Sequence, residues 1–198
     1  VPVVLFNRAQ DKLAHSSVTS DNIEGGQTAA QFLCGAGHKR IAYIGGWVGA
    51  STQRDREAGF CSGLKKFGKT LFAHALGNFS TDTAKDVARE MFAASERPDA
   101  VFVATDHMAF AVMDVLRTEL GLSIPEDVSV VGYDDVPPAS WAGYNLTTLR
   151  QRANLMVEQT VRLMIDKIRD PEVAPKHLKI NSPLIVRGSA KIPKGWNT

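Results

Sequence analysis

Several side chains able to bind or do chemistry fall in one kind of place in this chain, just after an apolar run that reads as a strand. Asp134 follows the run 128–132, Asp106 follows 100–105, Phe79 follows 71–76, and Thr52 and Arg56 follow 41–46. Trp141 comes next in the loop beyond Asp134, and Asn7 and Asp21 come from the first segment. Carboxylates accept hydroxyl hydrogens, an arginine donates in a fixed fork, and aromatic faces cover the apolar side of a sugar-like ring. Two acids, a guanidinium and aromatic rings converging on one crevice therefore suit a polyhydroxylated ligand.

Each of these residues also has a purely structural use. Asp21 and Asp106 can cap the helices that follow them, and Thr52 has helix-start character. Arg56 can pair with Asp134 across the loops. Phe79 and Trp141 can serve as core aromatics. Asp134 is the hardest to reassign, because Asp135 beside it is already available for the turn.

Two acids at strand ends would also suit a glycosidase, which needs paired carboxylates with one pKa raised. The rest of a mechanism is missing from the sequence: there is no nucleophile elbow, no HExxH, and the five histidines are scattered without metal-ligand spacing. Binding without catalysis is the expected behaviour, with no cofactor and no metal.

One motif misleads. Gly63-Leu64-Lys65-Lys66-Phe67-Gly68-Lys69-Thr70 matches the phosphate-loop pattern by letter. A working phosphate loop follows a strand and opens a helix, so that amides face the phosphates. Here the match closes a helix and a strand follows. Asn78-Phe79-Ser80 and Asn145-Leu146-Thr147 are glycosylation sequons by letter only.

The elements that must position these residues alternate. The strand near 1–6 is followed by a polar loop and a helix over 22–36, which Asp21 and Glu24 start with capping-box spacing and Gly37 ends. Strands over 41–46, 71–76, 100–105 and 128–132 alternate with helices over 53–67, 81–94 and 107–120. Val128, Val130 and Val131 show no polar alternation, the mark of a strand buried on both faces of a parallel sheet. Strand–helix alternation implies right-handed crossovers and helices on both faces, and in such sheets ligands bind beyond the carboxyl ends of the strands.

The pattern changes after 146–149. A long helix over 152–169 carries an apolar stripe of Val157, Val161, Met164 and Ile168, and 178–189 is extended with a break at Pro183. Residues 22–149 with 182–198 are expected to form one complete subdomain. Residues 1–21 with 150–181 form part of a second, too small to bury its own core. Its helix stripe is then expected to be exposed, swapped or self-associated.

Bulk properties agree with a globular binding domain. The 198 residues are 44% hydrophobic and 22% charged, with a net charge of +2, and no basic stripe stands out that would engage nucleic acid directly. Cys34 and Cys61 lie among apolar neighbours and read as free thiols of a reducing compartment. No window reaches the roughly 18 apolar residues of a membrane span. The chain opens on a strand without Met, as a fragment would.

In this order the motifs resemble the effector-binding domain of LacI/GalR-type bacterial transcription regulators, over nearly the whole chain. Val4-Leu5-Phe6-Asn7-Arg8, Ser20-Asp21-Asn22 with Gly25-Gly26, and Gly37-His38-Lys39-Arg40-Ile41 carry the likeness. So do Arg56-Glu57-Ala58-Gly59-Phe60, Thr105-Asp106-His107-Met108-Ala109, Val131-Gly132-Tyr133-Asp134-Asp135, Leu146-Thr147-Thr148 and Arg187-Gly188-Ser189. The resemblance implies an α/β fold like the periplasmic binding proteins, a parallel sheet flanked by helices in each of two subdomains, with the effector in the cleft between them. It carries effector contacts onto Thr52, Arg56, Phe79, Asp106 and Asp134, and onto Asn7, Asp21 and Trp141.

The resemblance also implies a cytoplasmic homodimer that meets operator DNA only through an N-terminal helix-turn-helix headpiece, expected to be absent here together with early strands of the first subdomain. A second arginine that contacts effector in purine-sensing members falls at Ala50, which argues against a purine. The effector expected is a sugar, polyol or sugar acid, with no membrane partner. The alternative is a periplasmic sugar-binding protein for transport or chemotaxis, and a glycoside-processing enzyme is a distant third.

Overall fold

The structure, a computed structural model, describes residues 1–10 and 14–196. Part of the polar loop expected after the first strand, residues 11–13, lies outside the described residues.

Two sheets organise the chain. Strands β1 (Val4–Phe6), β2 (Ser16–Ser20) and β8 (His177–Ile180) form a parallel sheet in the order β1-β2-β8. The larger sheet runs β4 (Ala73–Leu76), β3 (Ile41–Gly45), β5 (Ala100–Val103), β6 (Ser129–Asp134), β7 (Thr147–Arg150), β9 (Leu184–Ile185). Its pairs are parallel except β7 with β9. Every residue of β3 and β5 is buried, as the unbroken apolar runs require of central parallel strands.

Helices α1 (Asn22–Gly35), α2 (Ser51–Lys66), α3 (Thr81–Ala93) and α4 (Asp106–Asp114) follow β2, β3, β4 and β5. The Asp21 carboxylate caps α1 by accepting from the Glu24 amide at 3.0 Å. Helices α1 and α2 touch along glycines: a Cβ at Gly26 would strike the Arg56 carbonyl, and one at Gly59 the Ile23 carbonyl. That close approach sets Arg56 against Asn22. The helix expected over 107–120 ends differently, its last turn being π-helical over Val115–Glu119. The phosphate-loop look-alike spans the last turn of α2 and the chain beyond it, where Gly68 takes a left-handed φ of 65°.

Helix α5 (Ala153–Arg169) leans on the small sheet through Met156 and Leu163, which with Val18 make a three-residue core. The Val157, Val161 and Ile168 stripe points outward, 51%, 52% and 61% exposed, so it does not supply the packing face. The main core belongs to the large sheet, where Tyr43, Phe60, Phe102, Met108 and Tyr133 are fully buried. The chain passes between the sheets after β2, after β7 and before β9, at residues 21, 151 and 181–183.

Candidate functional site

The carboxyl ends of β3, β4, β5 and β6 and the turn after β1 face a cavity of about 570 Å³. Thr52 and Arg56 enter from the first turns of α2, Phe79 precedes α3, Asp134 ends β6, and Asn7 comes from the small sheet. Five of the eight residues singled out by sequence thus line one cavity.

The backbone is unusual at three of them. Asn7, Phe79 and Asp134 have φ of 51°, 59° and 126°, in the left-handed region that L-residues avoid. Such strain gathers at binding sites, where the surroundings hold it in place. The Phe79 ring rests on Gly46, where a Cβ would overlap it, so the glycine after β3 is what lets the aromatic wall approach. Asn7 Oδ1 is a buried acceptor with no partner among the described residues, an atom a ligand hydroxyl would satisfy.

Arg56 is only 4% exposed and braced from several sides. Its Nε and Nη2 donate to Asn22 Oδ1 at 3.2 and 2.7 Å, its Nη1 donates to the Ala104 carbonyl, and its guanidinium lies 3.4 Å over the Tyr133 ring. The pairing with Asp134 that the sequence offered as a structural use of Arg56 gives way to these contacts. The side-chain partner of Asp134 is Gln151, whose amide donates to Oδ1, and the backbone amide of Asp106 donates to the same carboxylate. Burial pushes the Asp134 pKa up, opposed by the Arg56 charge, the Gln151 bond and the nearby His107.

Asp106 sits apart from the cavity lining. It is fully buried, accepting from Thr148 Oγ1 at 2.6 Å and from the Val136 amide at 3.0 Å. Burial pushes its pKa up to about 7, with the Asp134 and Asp135 charges adding to the effect. A Cβ at Gly132 would strike its Oδ1, which accounts for the glycine of the Val131-Gly132-Tyr133 stretch. Thr105, one residue earlier, caps α4 through its side chain and lines the cavity instead.

Asp21 is spent on capping α1 and lies outside the lining, as does Trp141, which is 60% exposed beyond the turn Pro137–Ser140. Ala50 is the N-cap residue of α2 and 2% exposed.

Sequence reasoning missed Arg8, Ser80, Thr81, Thr105, His107 and Gln151. Arg8 Nη1 donates to the Asn7 carbonyl at 2.7 Å and to Thr52 Oγ1 at 3.3 Å, tying the turn after β1 to α2. Ser80 and His107 adjoin residues that were named and Thr81 lies two beyond Phe79, close enough to the strand ends to share their position. Gln151 follows β7, which pairs with β6 in register Asp134↔Arg150, and that pairing is invisible in one sequence.

The lining mixes a carboxylate, guanidinium groups, hydroxyls, an imidazole and one aromatic face. It can accept and donate several hydrogen bonds at once around a small polar ring.

Comparison with known proteins gives a consistent set of likenesses. A family model described as periplasmic binding protein-like domain matches residues 30–190. The chain is 38% identical over 179 residues to the HTH-type transcriptional regulator CelR of Thermobifida fusca, covering 88% of this chain and 52% of that protein. It is 31% identical over 193 residues to the HTH-type transcriptional repressor PurR of Vibrio vulnificus, covering 96% and 58%. A solved transcriptional regulator CelR–cellobiose complex superposes with a TM-score of 0.89 at 35% identity, covering 96% of this chain and 59% of that one. The chain thus spans just over half the length of the curated relatives it matches.

Proposed function

The chain belongs to the periplasmic binding protein-like effector domains of LacI-type transcriptional regulators, and from that premise we propose that its cavity senses a small polyhydroxylated effector. A sugar, polyol or sugar acid fits the mixture of donors and acceptors that Asp134, Arg8, Arg56, Thr52 and Gln151 present around the Phe79 ring. The observation that carries this reading is the convergence on one cavity of strained Asp134 and Phe79 with the buried acceptor Asn7 Oδ1, which has no partner among the described residues. The CelR–cellobiose complex supports a sugar as the ligand class.

The lining comes from both sheets, with Asn7 and Arg8 beside the small one and the other walls on the large one. Effector bridging them favours one angle between the sheets. In the longer regulator that bias sets operator affinity through a population shift, and its size is limited by the difference in effector affinity between the two states. The regulator acts as a cytoplasmic homodimer and touches operator DNA through a headpiece outside this chain. A periplasmic transport role is disfavoured because the relatives are transcriptional regulators.

A thermal-shift screen of the intact regulator against neutral sugars, sugar acids and polyols tests the proposal. One class should raise the Tm by mass action and change retardation of operator DNA in a gel. A screen in which no class does either would defeat it.

A further inference from the structure

Two consecutive residues at the end of β6 hold left-handed backbone conformations, Asp134 at φ 126° and Asp135 at 58°. Non-glycine residues persist there only where their surroundings over-determine them. Beside the Gln151 bonds to Asp134 itself, Asp135 supplies a restraint from the next residue. Its side chain is 6% exposed and gripped from two directions: Arg187 Nη2 donates to Oδ1 at 2.7 Å and Arg150 Nε donates to Oδ2 at 2.5 Å. Arg187 is itself fixed, its Nη1 donating to the Leu146 carbonyl at 2.7 Å and its backbone amide to Thr147 Oγ1 at 2.8 Å. Asp135, Arg150 and Arg187 all lie outside the cavity lining.

The grip has a geometric consequence one residue upstream. Strand pairing fixes the chain up to Asp134, so rotation about its N–Cα bond sets where its Cβ points. At φ 126° the carboxylate lines the cavity, and relaxation to an extended φ swings it away.

We propose that Asp135, held between Arg150 and Arg187, is a positioning residue that keeps Asp134 left-handed and so aims the binding carboxylate into the cavity. The consequence for affinity rests on the effector-sensing reading given above; the conformational part stands apart from it.

The test uses Asp135→Asn in the full chain. Asparagine tolerates a left-handed φ and keeps the shape, but loses the charge on which both arginines close. Arg187→Lys keeps the charge and loses the fork. Leu163→Ala, in the small core, serves as a control for general destabilisation. The three-bond coupling between the amide and Cα protons of Asp134, read by NMR, is small at φ 126° and large in an extended strand.

The expected result is a large coupling in Asp135→Asn, an intermediate one in Arg187→Lys, and an unchanged small one in Leu163→Ala. Calorimetry with cellobiose as the probe should show affinity falling about tenfold or more in Asp135→Asn, beyond any fall in Leu163→Ala. A coupling that stays small in Asp135→Asn, or an affinity that only follows Tm in all three variants, would overturn the proposal. If Asp135→Asn does not fold, Arg187→Lys and Arg150→Gln are read by the same criteria. A wild-type chain that binds no sugar would count against the sensing reading alone, and the coupling would still decide this one.

Discussion

Gln151 holds Asp134 at both ends: its side-chain amide donates to the carboxylate, and its backbone amide donates to the carbonyl at 3.1 Å. The same side chain accepts from Ser20 Oγ at 3.1 Å, at the end of β2. One residue thus ties the cavity carboxylate to two of the points where the chain passes between its sheets.

Gln151→Leu is therefore expected to leave a half-buried carboxylate short of its side-chain donor and a Ser20 hydroxyl with only the Met156 sulfur to accept from it. Loss of stability by about 1–3 kcal/mol in urea denaturation is the anticipated cost. Denaturation midpoints indistinguishable from wild type would show that the bridge carries no weight.

Asp106 predicts a pH dependence of definite sign. Its folded pKa of about 7 lies above the ordinary value of 3.8, so the native state binds the extra proton between those limits. Stability must then fall as pH rises from about 4 through about 7, by an amount on the order of 3–4 kcal/mol if this group acted alone. Asp134, also raised, adds in the same direction. His38, whose pKa is lowered by burial, acts in reverse below its ordinary value. Comparing wild type with Asp106→Asn isolates the carboxyl: the variant should lose most of the downward slope between pH 5 and 8. Parallel profiles would contradict the assignment.

Gly132→Ala places a methyl group against the Asp106 carboxylate and the Leu146 side chain. Overpacking at such a site costs about 1–3 kcal/mol. Thermal denaturation should show a clear drop in Tm, whereas Gly143→Ala, where a Cβ meets nothing within 4 Å, should be nearly silent.

The outer face of α5 presents Val157, Val161, Ile165 and Ile168, each at least 43% exposed. A contiguous apolar stripe of this kind invites association. The 198-residue chain should bind ANS or sediment as more than a monomer, and the Val161→Lys, Ile168→Lys double variant should reduce both signals. A monomer that leaves ANS dark would refute this expectation.

Much of the large sheet was legible because its evidence is local. Continuous apolar runs such as Ile41 to Ile44 mark central parallel strands, and Asp21 with Glu24 marks a helix start. Strand ends then pointed to Thr52, Arg56, Phe79 and Asp134 without any knowledge of pairing. What sequence could not supply was which way a polar side chain turns. Asp106 and Thr105 are neighbours at the same strand end, yet Asp106 turns inward to Thr148 and Thr105 faces the cavity. Gln151 enters only because β7 pairs with β6, a contact between residues 17 apart. The outward stripe of α5 was seen as an apolar face, but Met156 and Leu163 pack inward on the small sheet.

The central claim is that Asp134 binds effector in this cavity. Arg56→Ala is a poor probe of it, because removing a buried, fully braced guanidinium also strips partners from Asn22 and Ala104. Asp134→Ala is cleaner, its carboxylate having Gln151 as its side-chain partner. Isothermal titration of wild type and Asp134→Ala with the sugar that gives the largest thermal shift measures the claim directly. One saturable site should appear in wild type and weaken at least about tenfold in Asp134→Ala, with the fold retained. Equal affinity in the two proteins would contradict it.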